Sequence, residues 1–251
     1  MVDDLALAAE LTRDAGKLAE RMRRRGVDVI RKSSVSDVVT PADEAAEQLI
    51  VKGLRRERPS DGILGEEGTS QSGSRTWYID PVDGTYNYAH DVPIWCTALG
   101  LAEGGDTLLG AVYHPASDEL WLGGLAHPTT CNGTRTSRLA AQPLGELSLA
   151  TYLHPTTLPD DEVRRPMARA VRAAATIRTF GSGSVELAWV AAGRLGAFLQ
   201  HDCLPWDWVP GAALVTAAGG ATRLIDLDGH RWHIAGNRQV VEEVTLALFS
   251  S

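Results

Sequence analysis

The stretch Trp77-Tyr78-Ile79-Asp80-Pro81-Val82-Asp83-Gly84-Thr85 reads as a buried strand that delivers two acids to its own end. Thr76 to Ile79 is aromatic and β-branched, the composition of a strand packed on both faces. Pro81 has no N–H to give a ladder and is predicted to take the chain out of the sheet after Asp80. Gly84 permits a tight backbone, and Thr85 then falls near a helix start, where free N–H groups favour an anion. Two carboxylates and a backbone carbonyl are donors that suit a hard cation such as Mg²⁺. A plain strand-to-turn junction accounts for the same residues, so acids elsewhere in the chain have to decide.

Two further acidic segments stand out. Gly65-Glu66-Glu67-Gly68 places adjacent glutamates in a glycine-flanked loop, which by itself reads first as surface charge. Pro205-Trp206-Asp207-Trp208 sets an acid between two indoles just before an apolar stretch ended by Gly219-Gly220, where an Asp often serves only as a helix cap. One glutamate of the pair and Asp207, taken with Asp80 and Asp83, make four acids on three separate stretches. That is enough for a phosphate site holding two or three metal ions.

Composition narrows the classes. The net charge of −8 disfavours a broad nucleic-acid-binding face, and an acidic chain needs local cations before it can attract a phosphate. The three cysteines are widely spaced and form no CxxC, so neither a disulfide framework nor a cysteine zinc site is indicated. The acidic start reads as an amphipathic helix rather than a secretion signal, and no apolar run is long enough for a bilayer. A cytoplasmic protein is expected. The seven histidines show no ligand spacing, and His230 and His233 are expected on the surface.

Helical periodicity marks residues 3–25 and 41–58. In the first, Leu5, Leu7, Ala8, Leu11, Ala15, Leu18, Ala19 and Met22 form one apolar face. In the second, Thr40 before Pro41, with Asp43 and Glu44 in the first turn, is a strong helix start. The serine-rich stretch between them reads as a mobile loop. Strands are predicted near 95–101, 108–113, 119–122 and 196–200, and helices near 160–175, 185–192 and 208–218. Helices and strands interleave throughout, which suggests layered α/β architecture.

The ordered set Gly65-Glu66-Glu67, Asp80 to Thr85, then Trp206-Asp207 with Gly211 and Ala218-Gly219-Gly220 resembles the inositol monophosphatase family. Lys32-Ser33-Ser34 with Asp37, Val39, Thr40 and Asp43 resembles that family's N-terminal loop. The resemblance implies an alternating αβαβα sandwich of the inositol monophosphatase and fructose-1,6-bisphosphatase type. It also implies one phosphatase domain over residues 1–251, with most ligands before about residue 140 and Asp207 after it, and a homodimer. It makes Glu66, Asp80 and the Val82 carbonyl ligands of one Mg²⁺, and Asp80, Asp83 and Asp207 ligands of a second. A third ion would share Glu66 through water. Gly84 and Thr85 would offer N–H groups to phosphate, while Thr85 and Asp43 would orient and deprotonate the attacking water.

Phe180-Gly181-Ser182-Gly183-Ser184 resembles the family's turn beside the substrate, where Ser182 and Gly183 would meet the leaving group; a simple helix cap explains it equally well. Seven residues before Asp207, inositol-hydrolysing relatives often carry a glutamate, and here the residue is Gln200. An amide still bonds hydroxyls but serves a cationic leaving group less well, which leaves the ester open. The reaction expected is hydrolysis of a small phosphorylated metabolite, with inositol monophosphate first. Histidinol phosphate, a sugar bisphosphate and a nucleotide 3′-phosphate are the alternatives. Haloacid-dehalogenase-like enzymes space their paired acids by one residue rather than the two found here. A non-catalytic scaffold or RNA-associated partner is the reading from another class.

Overall fold

The computed structural model of the protein describes residues 3–26, 30–31 and 38–250. Lys32, Ser33, Ser34 and Asp37 lie outside the described residues, as does the expected mobile loop. The first helices are α1 (Asp4–Arg23) and α2 (Pro41–Glu57), with β1 (Ile30–Arg31) and β2 (Val38–Val39) paired antiparallel between them. On α1 the buried residues include Leu7, Ala8, Leu11, Ala15 and Ala19, most of the face that the 3.6-residue period selects. The start of α2 is closed by a capping box: Thr40 Oγ1 accepts from Ala42 N, and Asp43 Oδ2 accepts from Thr40 N at 2.9 Å.

Next come β3 (Gly62–Gly65), β4 (Ser70–Gln71), β5 (Arg75–Asp83), the short α3 (Thr85–Ala89), β6 (Cys96–Glu103), β7 (Asp106–His114), β8 (Glu119–Gly124), β9 (His127–Cys131) and β10 (Thr134–Arg135). They form an eight-stranded sheet in the order β10-β9-β8-β7-β6-β5-β3-β4, antiparallel apart from the β3–β5 pair. The remaining elements are β11 (Ser148–Thr151), α4 (Asp161–Ala173), β12 (Thr176–Arg178), α5 (Gly183–Ala191), β13 (Ala197–His201), α6 (Pro205–Ala217), β14 (Ala221–Leu227), β15 (His230–Gly236) and α7 (Arg238–Phe249). Their strands make a five-stranded sheet ordered β12-β11-β13-β15-β14.

Three apolar clusters set the layers. Leu7, Leu11, Ile50 and Leu54 of α1 and α2 pack on Trp77, Ile79 and Leu99 of the large sheet. Val185, Leu187 and Leu214 of α5 and α6 fill the space between Trp121 of the large sheet and Phe198 of the small one. Val163, Met167, Val240 and Val244 of α4 and α7 cover Leu199 and Ile234 on the far face. The result is the expected order of helix, sheet, helix, sheet, helix. Burial of these side chains, each stabilising by about 1.5–3 kcal/mol, is what holds each sheet to its helices.

Two local expectations need correction. The strand does not end at Asp80-Pro81: β5 continues to Asp83. Asp80 faces Ala98 and Asp83 faces Cys96, so β5 spends one residue more than β6 over that interval. This bulge absorbs the missing N–H of Pro81, whose carbonyl is taken up by Thr97 Oγ1 at 2.7 Å. Asp207 does not precede its helix. With Pro205 at the first helical position, α6 begins earlier, and Asp207 lies in its first turn.

Candidate metal and phosphate centre

Parallel pairing of β3 with β5 brings the first two acids together. Gly65 is opposite Ile79, Glu66 N donates to Ile79 O at 3.1 Å, and Glu66 emerges from its strand tip beside Asp80. Asp80 is 2 % exposed, and its Oδ1 is buried without a hydrogen-bond partner. Burial drives the Asp80 carboxyl well above the usual carboxylate range, and the charges of Glu66, Asp83, Asp207 and Asp43 push it further. Asp207 comes from the far side, on α6. Its Oδ2 accepts from Leu204 N at 3.0 Å, and its carboxyl lies against that of Asp80. Burial, then the charge of Asp83, raises Asp207 to about 7. Asp83 is buried as well, raised by burial and held by the backbone N–H of Ser184 at the start of α5.

Thr85 and Asp43 are in hydrogen-bond contact. Thr85 Oγ1 lies 2.8 Å from Val82 O and 3.2 Å from Asp43 Oδ1. Its single proton serves one of these acceptors at a time, so the hydroxyl can turn between them. The other oxygen of Asp43 is occupied by Thr40 Oγ1 at 2.6 Å and Thr40 N. Burial raises Asp43 to about 6 against the opposing pull of the Thr40 hydrogen bonds. Such a group takes up a proton near neutral pH.

Glycine is required where two turns cross. Gly84 has φ +92, and a Cβ there would stand 3.0 Å from Gly181 O and 3.2 Å from Ser182 Cβ. The turn after Asp83 is therefore packed directly against the 181–182 turn, and Asn87 Nδ2 clamps the pair through Phe180 O at 2.7 Å and Ile94 O at 2.8 Å. Ser182 and Gly183 thus lie beside Gly84. Gln200 stands on β13 opposite His233 of β15, half-buried, with no hydrogen bond to any of the four acids.

Two acids that hold the site in place escaped the sequence reading. Glu47 of α2, 3 % exposed, accepts from Glu67 N at 2.8 Å and Thr69 N at 3.1 Å, and so fixes the loop that carries Glu66. Glu186 of α5, 1 % exposed, accepts from Phe180 N at 2.7 Å and holds the 180–184 turn; burial raises it to about 8. Both had a signal: an acid at helical spacing among apolar neighbours, Ala46 and Ile50 for Glu47, Val185 and Leu187 for Glu186. The histidines also depart from expectation. His233 is buried against Trp208, ring centroids 5.0 Å apart, and His230 is bonded to Asp202. Pairing of the small sheet buries His233, while His230 stays partly exposed at the start of β15.

The donor set suits divalent cations. Every ligand named from the family pattern is a hard oxygen, the Asp80 Oδ1 has no partner of its own, and the Asp80 and Asp207 carboxyls face each other across the centre. No three of the four acids bring ligand oxygens within 4.8 Å of one another. An ion held jointly by Asp80, Asp83 and Asp207 needs their ligand oxygens closer than this, so the three carboxylates would have to draw in around it.

The sequence matches the inositol monophosphatase family over residues 2–248, and the chain belongs to that family. It is 30 % identical over 227 residues to an inositol-1-monophosphatase of Bacillus subtilis, covering 88 % of this chain and 84 % of that one. It is 32 % identical over 221 residues to the fructose-1,6-bisphosphatase/inositol-1-monophosphatase of Thermotoga maritima, covering 87 % and 84 %. The crystal structure of the extragenic suppressor protein suhB from Bartonella henselae superposes with a TM-score of 0.88 at 26 % identity, covering 98 % of each chain.

Proposed function

We propose that this family member, a phosphatase, hydrolyses a small phosphate monoester with Mg²⁺ as cofactor, and that inositol monophosphate is its first candidate substrate. The observation that carries the reading is the buried, unpartnered Oδ1 of Asp80 among Glu66, Asp83 and Asp207. Four acids gathered this way repel one another, and divalent cations turn that repulsion into attraction for phosphate. The family is generally metal-dependent, which supports the same assignment.

Glu66, Asp80, Asp83, Asp207 and the Val82 carbonyl would hold two or three ions. Magnesium bound there supplies positive charge to the phosphoryl oxygens and makes water acidic enough to act near neutral pH. The protein's own part is positioning and proton transfer. Gly84 and Thr85 present backbone N–H groups to the phosphate from the turn packed on Ser182. Thr85 Oγ1, turned toward Asp43, accepts a hydrogen bond from the attacking water, and Asp43 receives the proton through it. Attack by water needs no covalent intermediate on the protein, which suits a phosphoryl transition state stabilised by position and charge.

The ester is the finer part of the proposal. Relatives bear names for inositol-1-phosphate and fructose-1,6-bisphosphate chemistry, and Gln200 retains an amide that can bond sugar or inositol hydroxyls. A single phosphatase domain, a homodimer, a cytoplasmic location and, with the charge of −8, no nucleic-acid partner complete the reading. A panel of inositol monophosphate, histidinol phosphate, fructose 1,6-bisphosphate and a nucleotide 3′-phosphate, assayed with Mg²⁺ and with added Li⁺, tests it. Inositol monophosphate should turn over with the highest kcat/KM. Phosphate release indifferent to Mg²⁺ would defeat the assignment.

A further inference from the structure

A second cluster of ligand-bearing side chains lies on the small sheet, apart from the acid centre. We propose that His201, Asp202 and His230 form a site for a borderline transition metal, Zn²⁺ first.

The fold brings them together across 29 positions of sequence. His201 ends β13 and pairs with Trp232 of β15, which places Asp202 beside Arg231 and the start of β15. Asp202 is held there by two bonds to the Arg231 backbone: its N donates to Arg231 O at 2.7 Å, and its side-chain Oδ1 accepts from Arg231 N at 2.9 Å. The residue adopts φ +50, a left-handed conformation uncommon outside glycine. With Oδ1 committed, Oδ2 faces two imidazoles at once, 3.0 Å from His201 Nδ1 and 2.6 Å from His230 Nδ1. One ligand atom from each of the three side chains falls within 4.8 Å of the others.

A second observation points to a ligand. The other ring nitrogen of His230, Nε2, lies 3.4 Å from Asp160 Oδ2. A carboxylate behind the free nitrogen of a metal-binding imidazole is the arrangement that fixes its tautomer and raises its basicity. Asp160 is itself anchored, since its Oδ1 accepts from Glu162 N as the cap of α4. His230 is therefore oriented from one side and presents Nδ1 on the other. Donor separations near 3 Å are somewhat shorter than the roughly 3.3 Å expected around a tetrahedral ion with bonds of about 2.0–2.1 Å. A shift of a few tenths of an ångström by the two imidazoles away from Oδ2 opens that space with the Arg231 bond intact, and the half-exposed Asp202 carboxyl leaves one side of the ion open to water. Two imidazoles and one carboxylate favour Zn²⁺ over Mg²⁺, the reverse of the all-oxygen acid centre. The site also begins six residues before Asp207, so a metal bound there would tie β15 to the segment leading into α6.

The test uses Zn²⁺ and, as a spectroscopic probe, Co²⁺, titrated into the full chain carrying Asp80→Asn and Asp83→Asn to disable the acid centre. One equivalent should bind, and Co²⁺ should give visible absorption with imidazole coordination. His201→Gln and His230→Gln, introduced separately, should each weaken binding at least tenfold, and Asp160→Asn by about 10–100-fold. Unchanged affinity in both histidine variants would overturn the proposal and leave a hydrogen-bonded clasp between strands. Anomalous scattering at the zinc edge from a wild-type crystal soaked in Zn²⁺ does not depend on the variants folding. A peak among His201, Asp202 and His230 supports the site, and peaks elsewhere with none there refute it. Because the acid centre is disabled in the titrated protein, failure here and failure of the phosphatase reading remain separate results.

Discussion

The carboxylate of Glu47 occupies the space that a side chain on Gly65 would need: a Cβ there would lie 2.3 Å from Glu47 Oε2. The contact joins α2 to the strand tip that presents Glu66. It also explains why a buried acid faces glycine, since only a bare backbone lets the carboxylate reach the N–H groups of Glu67 and Thr69.

Gly65→Ala should therefore force Glu47 aside and cost about 1–3 kcal/mol of stability, the usual penalty of overpacking. Glu47→Ala should cost a comparable amount by leaving two N–H groups without their charged acceptor. Urea titration measures both losses. In each variant the Mg²⁺ concentration for half-maximal activity should rise, because Glu66 is no longer held. Wild-type Mg²⁺ dependence in the destabilised proteins would separate Glu47 from the metal centre.

Removing one charge from the crowded centre should have opposite effects on stability and activity. Asp80→Asn relieves repulsion among buried acids and keeps a group that can bond Asp207. Without Mg²⁺ the variant should melt higher than the parent, while turnover with Mg²⁺ should fall at least about a thousandfold. Asp83→Asn should likewise abolish Mg²⁺-dependent turnover with the fold intact. Calorimetry with and without Mg²⁺ reads the first effect and a phosphate-release assay the second.

The Thr85–Asp43 pair predicts an acid limb in the rate profile. Asp43 acts as a base only when ionised, and burial raises it to about 6. With Mg²⁺ saturating, kcat should fall as pH drops through about 6. Thr85→Ala and Asp43→Asn should each reduce kcat by about 10²–10⁴-fold, the range for general-base assistance, whereas Thr85→Ser should retain most activity. A Thr85→Ala enzyme with normal kcat would remove the hydroxyl from the proton path.

Glu186 should make stability depend on pH in the basic direction. Its folded value, about 8, lies above the unfolded value of 4.5, so the folded chain binds the extra proton between these limits. Stability contributed by the neutral form is complete below about 4.5 and is lost as pH rises through about 8. The loss should reach a few kcal/mol, since each unit corresponds to about 1.4 kcal/mol. Glu186→Gln keeps an acceptor for Phe180 N without a buried charge, so its melting temperature should exceed the parent's at pH 9 by more than at pH 5. Parallel curves for the two proteins would contradict this.

Local chemistry made much of the centre legible from the chain alone. The strand Thr76 to Ile79 is announced by its β-branched and aromatic residues, the start of α2 by Thr40 before Pro41 with Asp43 in the capping position, and the turn by Asp83-Gly84. Such signals act over a few residues and need no partner. The family pattern carried the reading further, to the layered fold and the grouping of Glu66, Asp80, Asp83 and Asp207. What the chain alone did not disclose depends on long-range pairing. Only the β5–β6 register showed that Pro81 sits in a bulge rather than at a strand end. Only the approach of α2 to β3 gave Glu47 its place, and only the β13–β15 pairing joined His201 and Asp202 to His230. A sequence states which side chains can bond. Which distant pair meets is decided when sheets and helices bury their apolar faces together, because that packing sets the distances.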